Sequence, residues 1–107
     1  MKTVFQNEYV TMFYDEENSI LIDVWTEKTE DMSDEEFKNA LREGWLKAMT
    51  AHQIKYALTD TTKFCYVIVP DIQEWIVKDI FRKAEEVALL KQAMLVSEDF
   101  IANVSIE

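Results

Sequence analysis

Glycine and proline are almost missing from this sequence, which has one of each, Gly44 and Pro70, among 107 residues. Loops that cradle phosphate groups need several glycines, because backbone N–H groups must approach the anion closely. Gly44 moreover lies inside a helical pattern of apolar residues. The sequence therefore excludes Walker-type loops and dinucleotide-binding fingerprints.

Cysteine and histidine are equally scarce, with a single copy of each, Cys65 and His52. One cysteine cannot form an internal disulfide, which is typical of a reducing compartment, and two soft ligands cannot complete a structural zinc site. Cys65, His52 and Asp60 are the one conceivable nucleophilic set, and nothing in the sequence aligns them. We expect a cytoplasmic protein with no catalytic residues, no metal and no cofactor.

Basic residues are outnumbered, with 11 Lys and Arg against 21 Asp and Glu, and the net charge is -10. A phosphate backbone or an anionic lipid surface would therefore meet a repulsive field. No apolar run approaches the ~20 residues that span a bilayer, and the N-terminus lacks the pattern of a signal peptide. The sequence predicts no nucleic-acid or membrane partner. The acidity fits either a basic partner protein or simply a solvated surface.

The length and the apolar content, 49% of residues, predict one domain over residues 1–107. Segments rich in β-forming residues predict four strands, residues 8–14, 20–25, 54–59 and 91–96. Amphipathic spacing predicts two long helices, one from Ser33 to about His52 and one beginning near Pro70 or Asp71, and a short terminal helix from Glu98 to about Val104.

Local signals sharpen this pattern at three places. Ser33 and Glu36 have the spacing of a capping box, which marks the start of the first helix. Asn18 is the residue expected to take a left-handed backbone in the turn between the first two strands. The stretch FCYVIVP, residues 64–70, has the composition of a strand, but its position before a helix favours a packed loop.

These elements predict an α/β fold, in which an N-terminal hairpin and a βαβαβ unit form a mixed four-stranded sheet. If the strand order is sequential, both long helices cover one face and leave the other face free. Sorting the strand residues by polarity assigns to the free face Tyr9, Thr11, Phe13, Asp23, Trp25, Lys55 and Thr59. Of these, Tyr9, Phe13, Trp25 and Lys55 are the candidate partner or dimer face, unless the terminal helix folds over them.

Several stretches resemble the small SpoIIAA-like (STAS) domains of bacteria, namely ILIDVW, MSDEEFKNALREGW, KYALTDTTKF, PDIQEWI and KQAMLVSEDF. The resemblance implies a mixed sheet backed by helices, in a domain that docks to other proteins. In antagonists of anti-sigma factors with this fold, a Ser in an Asp-Ser-Ser-Gly loop is phosphorylated. Asp60, Thr61 and Thr62 stand at the matching place, although Lys63 follows where that motif has Gly. Thr61 and Thr62 are thus candidate phosphoacceptors, and the simpler interpretation is a turn closed by local hydrogen bonds.

Two functions remain open at this point. The first is a non-enzymatic interaction or regulatory module that binds a protein partner or forms a homodimer. The alternative is a carrier or sensor of a small apolar ligand, held in a pocket between helices and sheet. This second function rests on a similarity of fold to the CRAL-TRIO lipid-binding domains.

Overall fold

A single mixed sheet organises the chain in the computed structural model, which describes residues 1–97. Its five strands lie side by side in chain order. They are β1 (Lys2–Gln6), β2 (Val10–Asp15), β3 (Ile20–Trp25), β4 (Tyr56–Asp60) and β5 (Lys91–Leu95). The first three are antiparallel, and β3, β4 and β5 are parallel. The predicted α/β class and the mixed sheet are confirmed, whereas the terminal helix predicted at 98–104 lies outside the described residues.

The predicted count of four strands is wrong, because β1 pairs with β2 at the edge of the sheet. A short turn makes this pairing possible: the Asn7 side-chain oxygen accepts hydrogen bonds from the N–H groups of Tyr9 (2.8 Å) and Val10 (3.0 Å). An Asx turn of this kind reverses the chain without glycine. Consequently the strand predicted from residue 8 begins at Val10, and the residues before it form the turn.

The β2–β3 turn also differs from the prediction in its left-handed residue, which is Ser19 (φ 56°) and not Asn18. The Asn18 backbone N–H and side-chain amide both donate to the Asp15 carboxylate, at 3.2 and 2.9 Å. These bonds hold Asn18 within the turn, and the positive φ falls on the next residue.

Helix α1 covers residues 34–52 and begins as predicted at Ser33. The Ser33 hydroxyl accepts from the N–H of Glu36, and the Glu36 carboxylate accepts from the N–H of Ser33. The helix ends at Gln53, whose backbone is left-handed. Along its length it consists of Asp34–Asn39 (α), Ala40–Leu46 (π) and Lys47–His52 (α). A single 3₁₀ turn, Glu27–Asp31, connects β3 to this helix.

Helix α2 covers residues 70–87 and begins with Pro70 in its first turn, where a missing N–H costs nothing. It consists of Pro70–Trp75 (α), Ile76–Phe81 (π) and Arg82–Val87 (α). Residues 64–69 before it have no regular secondary structure, so the loop prediction is confirmed.

Both helices pack against the same face of the sheet and against each other. Between the helices, the ring centroids of Trp45 and Phe81 lie 5.7 Å apart. This arrangement follows from the strand order, because right-handed connections from β3 to β4 and from β4 to β5 pass over one face. The side chains that are less than 2% exposed in this layer include Val10, Met12, Leu21, Trp45, Met49, Ile54 and Ile80.

At Gly44 helix α1 approaches the sheet closely. A Cβ built there would lie 2.8 Å from Cγ of Phe5 and 3.1 Å from Cε of Met12. Because Cγ is the root of the aromatic ring, the whole Phe5 side chain would have to move. Glycine is therefore required here for the close approach of helix and strand, and its backbone φ is ordinary.

We expect Gly44→Ala to lower the free energy of unfolding by roughly 1 kcal/mol, because overpacking against Phe5 outweighs the gain of about 1 kcal/mol in helix propensity. Urea unfolding followed by circular dichroism measures this change. Phe5→Ala provides the control background, since removal of the ring should make Gly44→Ala stabilising. The same destabilisation in both backgrounds would contradict the assigned contact.

Candidate functional site

The register of β2 and β3 decides which side chains share a face. Three directly opposed pairs are Val10 with Trp25, Met12 with Asp23, and Tyr14 with Leu21. Residues directly opposite each other in an antiparallel pair point to the same side. All three pairs lie under the helices, where five of the six residues are buried.

This register contradicts part of the predicted partner face. Trp25 is 3% exposed and Tyr9 is 8% exposed, so both belong to the core. Asp23 and Thr59, which were also assigned to the free face, lie on the covered side. The prediction failed because it placed the more polar strand residues on the free face. A carboxylate that has hydrogen-bond donors, such as Asp23, can also lie in the core. Phe13 does lie on the free side, and Lys55 is exposed just before β4.

The sheet surface opposite the helices, here called the open face, has an apolar centre. One row crosses all five strands in register and consists of Thr3, Phe13, Ile22, Leu58 and Ala93. Adjoining rows contribute Ile20, Val24, Tyr56 and Leu95. The side chains on β2 and β3 are half-buried by their neighbours, and Tyr56 (39%) and Leu95 (49%) are exposed. Within residues 1–97, neither helix packs on this surface.

Asp23 is the buried polar centre of the opposite, covered face. Its carboxylate accepts hydrogen bonds from the Trp25 indole N–H (2.7 Å) and from the Thr59 hydroxyl (2.9 Å), and the Trp45 side chain also favours the charged form. Burial outweighs these donors and raises the pKa of Asp23 to about 6, from an ordinary value of 3.8. The group therefore titrates close to neutral pH.

The raised pKa makes stability depend on pH with a definite sign. The folded protein binds the Asp23 proton more tightly than the unfolded chain, so this contribution is complete below pH 3.8 and is lost as the pH rises through about 6. The loss amounts to about 3 kcal/mol near pH 7. Asp23 at neutral pH is thus a cost that the surrounding fold tolerates.

We expect the wild type to gain stability relative to Asp23→Asn as the pH falls from about 7 to about 4, by up to about 3 kcal/mol, because the variant has no proton to bind. The measurement is the free energy of unfolding of both proteins at several pH values in this interval. Exposed carboxylates titrate equally in both and cancel in the difference. Parallel curves would show that Asp23 does not titrate there.

The loop after β4 contains the predicted Asp60, Thr61 and Thr62 set, and the structure closes it by local hydrogen bonds. The Asp60 carboxylate accepts from the Thr62 hydroxyl (2.7 Å) and from its N–H (3.0 Å), and these bonds lower the pKa of Asp60. The Thr61 hydroxyl and N–H both donate to the carbonyl of Leu95, at 2.8 and 2.9 Å. Thr61 thereby ties the loop to the end of β5.

These local contacts explain why the three residues are present, and no binding partner needs to be invoked. A phosphate on Thr62 would lie beside the Asp60 carboxylate, and one on Thr61 would remove the bond to Leu95. Phosphorylation of this loop stays a prediction.

Aromatic rings fix the rest of this loop on the helical side. Phe64 packs edge-on against Trp25 (5.4 Å), and Tyr66 stacks on Phe37 of α1 (4.7 Å). The Cys65 N–H donates to the Thr29 hydroxyl at 2.8 Å. His52 instead stacks on Tyr14 at 4.4 Å. Among the described residues, no hydrogen bond joins Cys65, His52 and Asp60.

Two of the open clefts on the surface of residues 1–97 are lined mainly by polar residues. The first, of about 440 Å³, includes Glu8, Glu36 and Arg42. The second, of about 630 Å³, includes Asp15, Glu16 and His52. In residues 1–97 no group of three or more His, Cys, Asp or Glu side chains is placed to hold a metal ion. Nor does this part of the chain contain a helix long and apolar enough to cross a membrane.

Comparisons with known proteins give no further guidance. No family model, no curated protein and no solved structure matches this chain. The resemblance to SpoIIAA-like domains therefore stays a prediction.

Proposed function

We propose that this protein is a cytoplasmic, non-enzymatic docking module whose open face binds an apolar patch on a protein partner. The observation that carries the proposal is the apolar row through Phe13, Ile22 and Leu58 on the side of the sheet opposite both helices. A sheet normally buries at least one face against another layer, and half-exposed apolar rows beyond that layer are typical of interaction surfaces.

The size of the open face limits what it contributes. Five strands about 4.8 Å apart and five residues of about 3.3 Å each give a plane of roughly 400 Å². A stable protein interface buries about 800 Å² on each partner. The apolar rows can therefore form the centre of an interface, and the partner must also contact the rim.

The rim carries acidic groups at both ends of the strands, together with Lys91 at the far end of the row that Asp15 begins. Asp15, Glu16 and Glu17 lie in or beside the β2–β3 turn. Asp60 ends β4 at the other end of the strands. The protein as a whole carries a net charge of -10. A partner that fits this surface presents an apolar centre bordered by Lys and Arg, and salt should weaken the complex.

The filled interior favours docking over the carriage of an apolar ligand. Trp45, Met12 and Leu21 occupy the space between the helices and the sheet, and each is at most 2% exposed. The two clefts described above lie open at the surface and are lined mainly by polar residues. The sequence resemblance to SpoIIAA-like domains supports docking too, because such domains act by binding other proteins.

We expect Phe13→Thr and Ile22→Thr to abolish capture of the partner from an extract of the cells that make the protein, since both remove apolar area from the centre of the open face. Threonine keeps the strand propensity and adds no charge. Capture is quantified by mass spectrometry against the wild type, at low and at high salt. Thermal unfolding verifies that each variant is folded.

Val67→Thr is the matched control, because Val67 is 76% exposed in the loop that packs on the helical side. This variant should retain the partner. Recovery of the same proteins by the control and by the open-face variants would refute the proposal, as would the absence of any partner whose binding falls with salt.

A further inference from the structure

The two edges of the sheet are protected to different degrees. At one edge, β1 carries Lys2, and its pairing with β2 is interrupted by a bulge between Thr3 and Phe5. Bulges and lysines are common devices that prevent an edge strand from pairing with another chain. At the other edge, β5 pairs with β4 in unbroken register from Lys91 to Leu95. Each edge strand carries one lysine, Lys2 or Lys91, and only the β1 edge also carries a bulge.

The exposure and charge of β5 point to contact with another strand. All five of its residues are exposed, including Met94 (58%) and Leu95 (49%), and Leu90 just before it is 67% exposed. Residues 87–97 contain no carboxylate and one lysine, in a protein with a net charge of -10. Two copies could therefore meet along this edge without opposing acidic groups.

We infer that β5 pairs with β5 of a second copy of this chain, antiparallel and centred on Ala93, to form one continuous ten-stranded sheet. The backbone directions support this register. Because the Leu95 carbonyl accepts from Thr61 on the β4 side, alternation turns the N–H and C=O of Gln92 and Met94 outward. A two-fold axis at Ala93 places Gln92 of each copy opposite Met94 of the other, and the outward groups then pair completely.

The same two-fold axis matches the open faces of the two copies. The row through Phe13, Ile22, Leu58 and Ala93 continues into its own repeat, so the apolar surface becomes twice as long. Lys91 of the second copy comes opposite Leu95, whose other neighbour is Asp60. With strands about 4.8 Å apart, this lysine can reach toward that carboxylate. Because β5 of each copy forms its own side of this contact, the match of charge favours a second copy over an unrelated strand.

The inference concerns the edge of the sheet, and it stands independently of docking on the open face. The variants Phe13→Thr and Ile22→Thr lie away from β5 and should leave the second copy bound. Loss of the dimer and loss of the partner are therefore separate results.

Ala93 provides the test, because in this register the two Ala93 side chains form a close, non-hydrogen-bonded pair. We expect light scattering with size exclusion to give twice the 12.6 kDa chain mass for the wild type. Ala93→Lys alone and Ala93→Glu alone should each give the monomer mass, and an equimolar mixture should restore the dimer. Thr3→Lys, at the β1 end of the same row, is the control and should remain dimeric.

A milder pair of variants covers the case in which the charged ones do not fold. In a Cys65→Ser background, Ala93→Cys should form an intermolecular disulfide with oxidised glutathione, and Thr3→Cys should not. A monomeric wild type at every concentration, a dimer that survives Ala93→Lys, or equal cross-linking at residues 3 and 93 would each overturn the inference.

Discussion

Right-handed connections between parallel neighbours are the constraint on which this structure depends. Because β3, β4 and β5 follow one another across the sheet, both helical connections pass over the same side. The chain therefore builds two layers, with its large aromatic residues concentrated between them. Within residues 1–97 the opposite surface of the sheet is left to strand residues alone, and the docking proposal follows from that asymmetry.

Asp23 shows how the covered layer accepts a charge. Its carboxylate lies 1% exposed between residues that donate hydrogen bonds from β3 and from β4, and Trp45 of α1 also favours its charged form. The bond from the Trp25 indole orients a side chain within β3, and the bond from the Thr59 hydroxyl connects β4 to β3. A group of this kind lowers stability at neutral pH, and in exchange it ties neighbouring strands to one arrangement.

Local signals in the sequence were sufficient for the two long helices and for the order of the elements from β2 to β5. Ser33 and Glu36 predicted the start of α1 because a capping box involves residues only three apart, and Pro70 predicted the start of α2 for a similar reason. Strand β1 was missed because its stability comes from pairing with β2, which no local pattern reports. The face assignment of Trp25 failed on the same ground, since it depends on which residue lies opposite. Polarity was also misleading for Asp23. One of its hydrogen-bond donors, Thr59, is distant in the sequence, and another, Trp25, is buried with it.

Glu36 connects two parts of the structure through the two oxygens of one carboxylate. Its Oε1 accepts from the N–H of Ser33 at the start of α1, and its Oε2 accepts from the hydroxyl of Tyr9 beside the β1–β2 turn. Both bonds favour the ionised form, and they lower the pKa of Glu36. Protonation of this single group weakens the helix start and the contact beside the turn together, while the Ser33 hydroxyl and the Asn7 side chain keep their own hydrogen bonds.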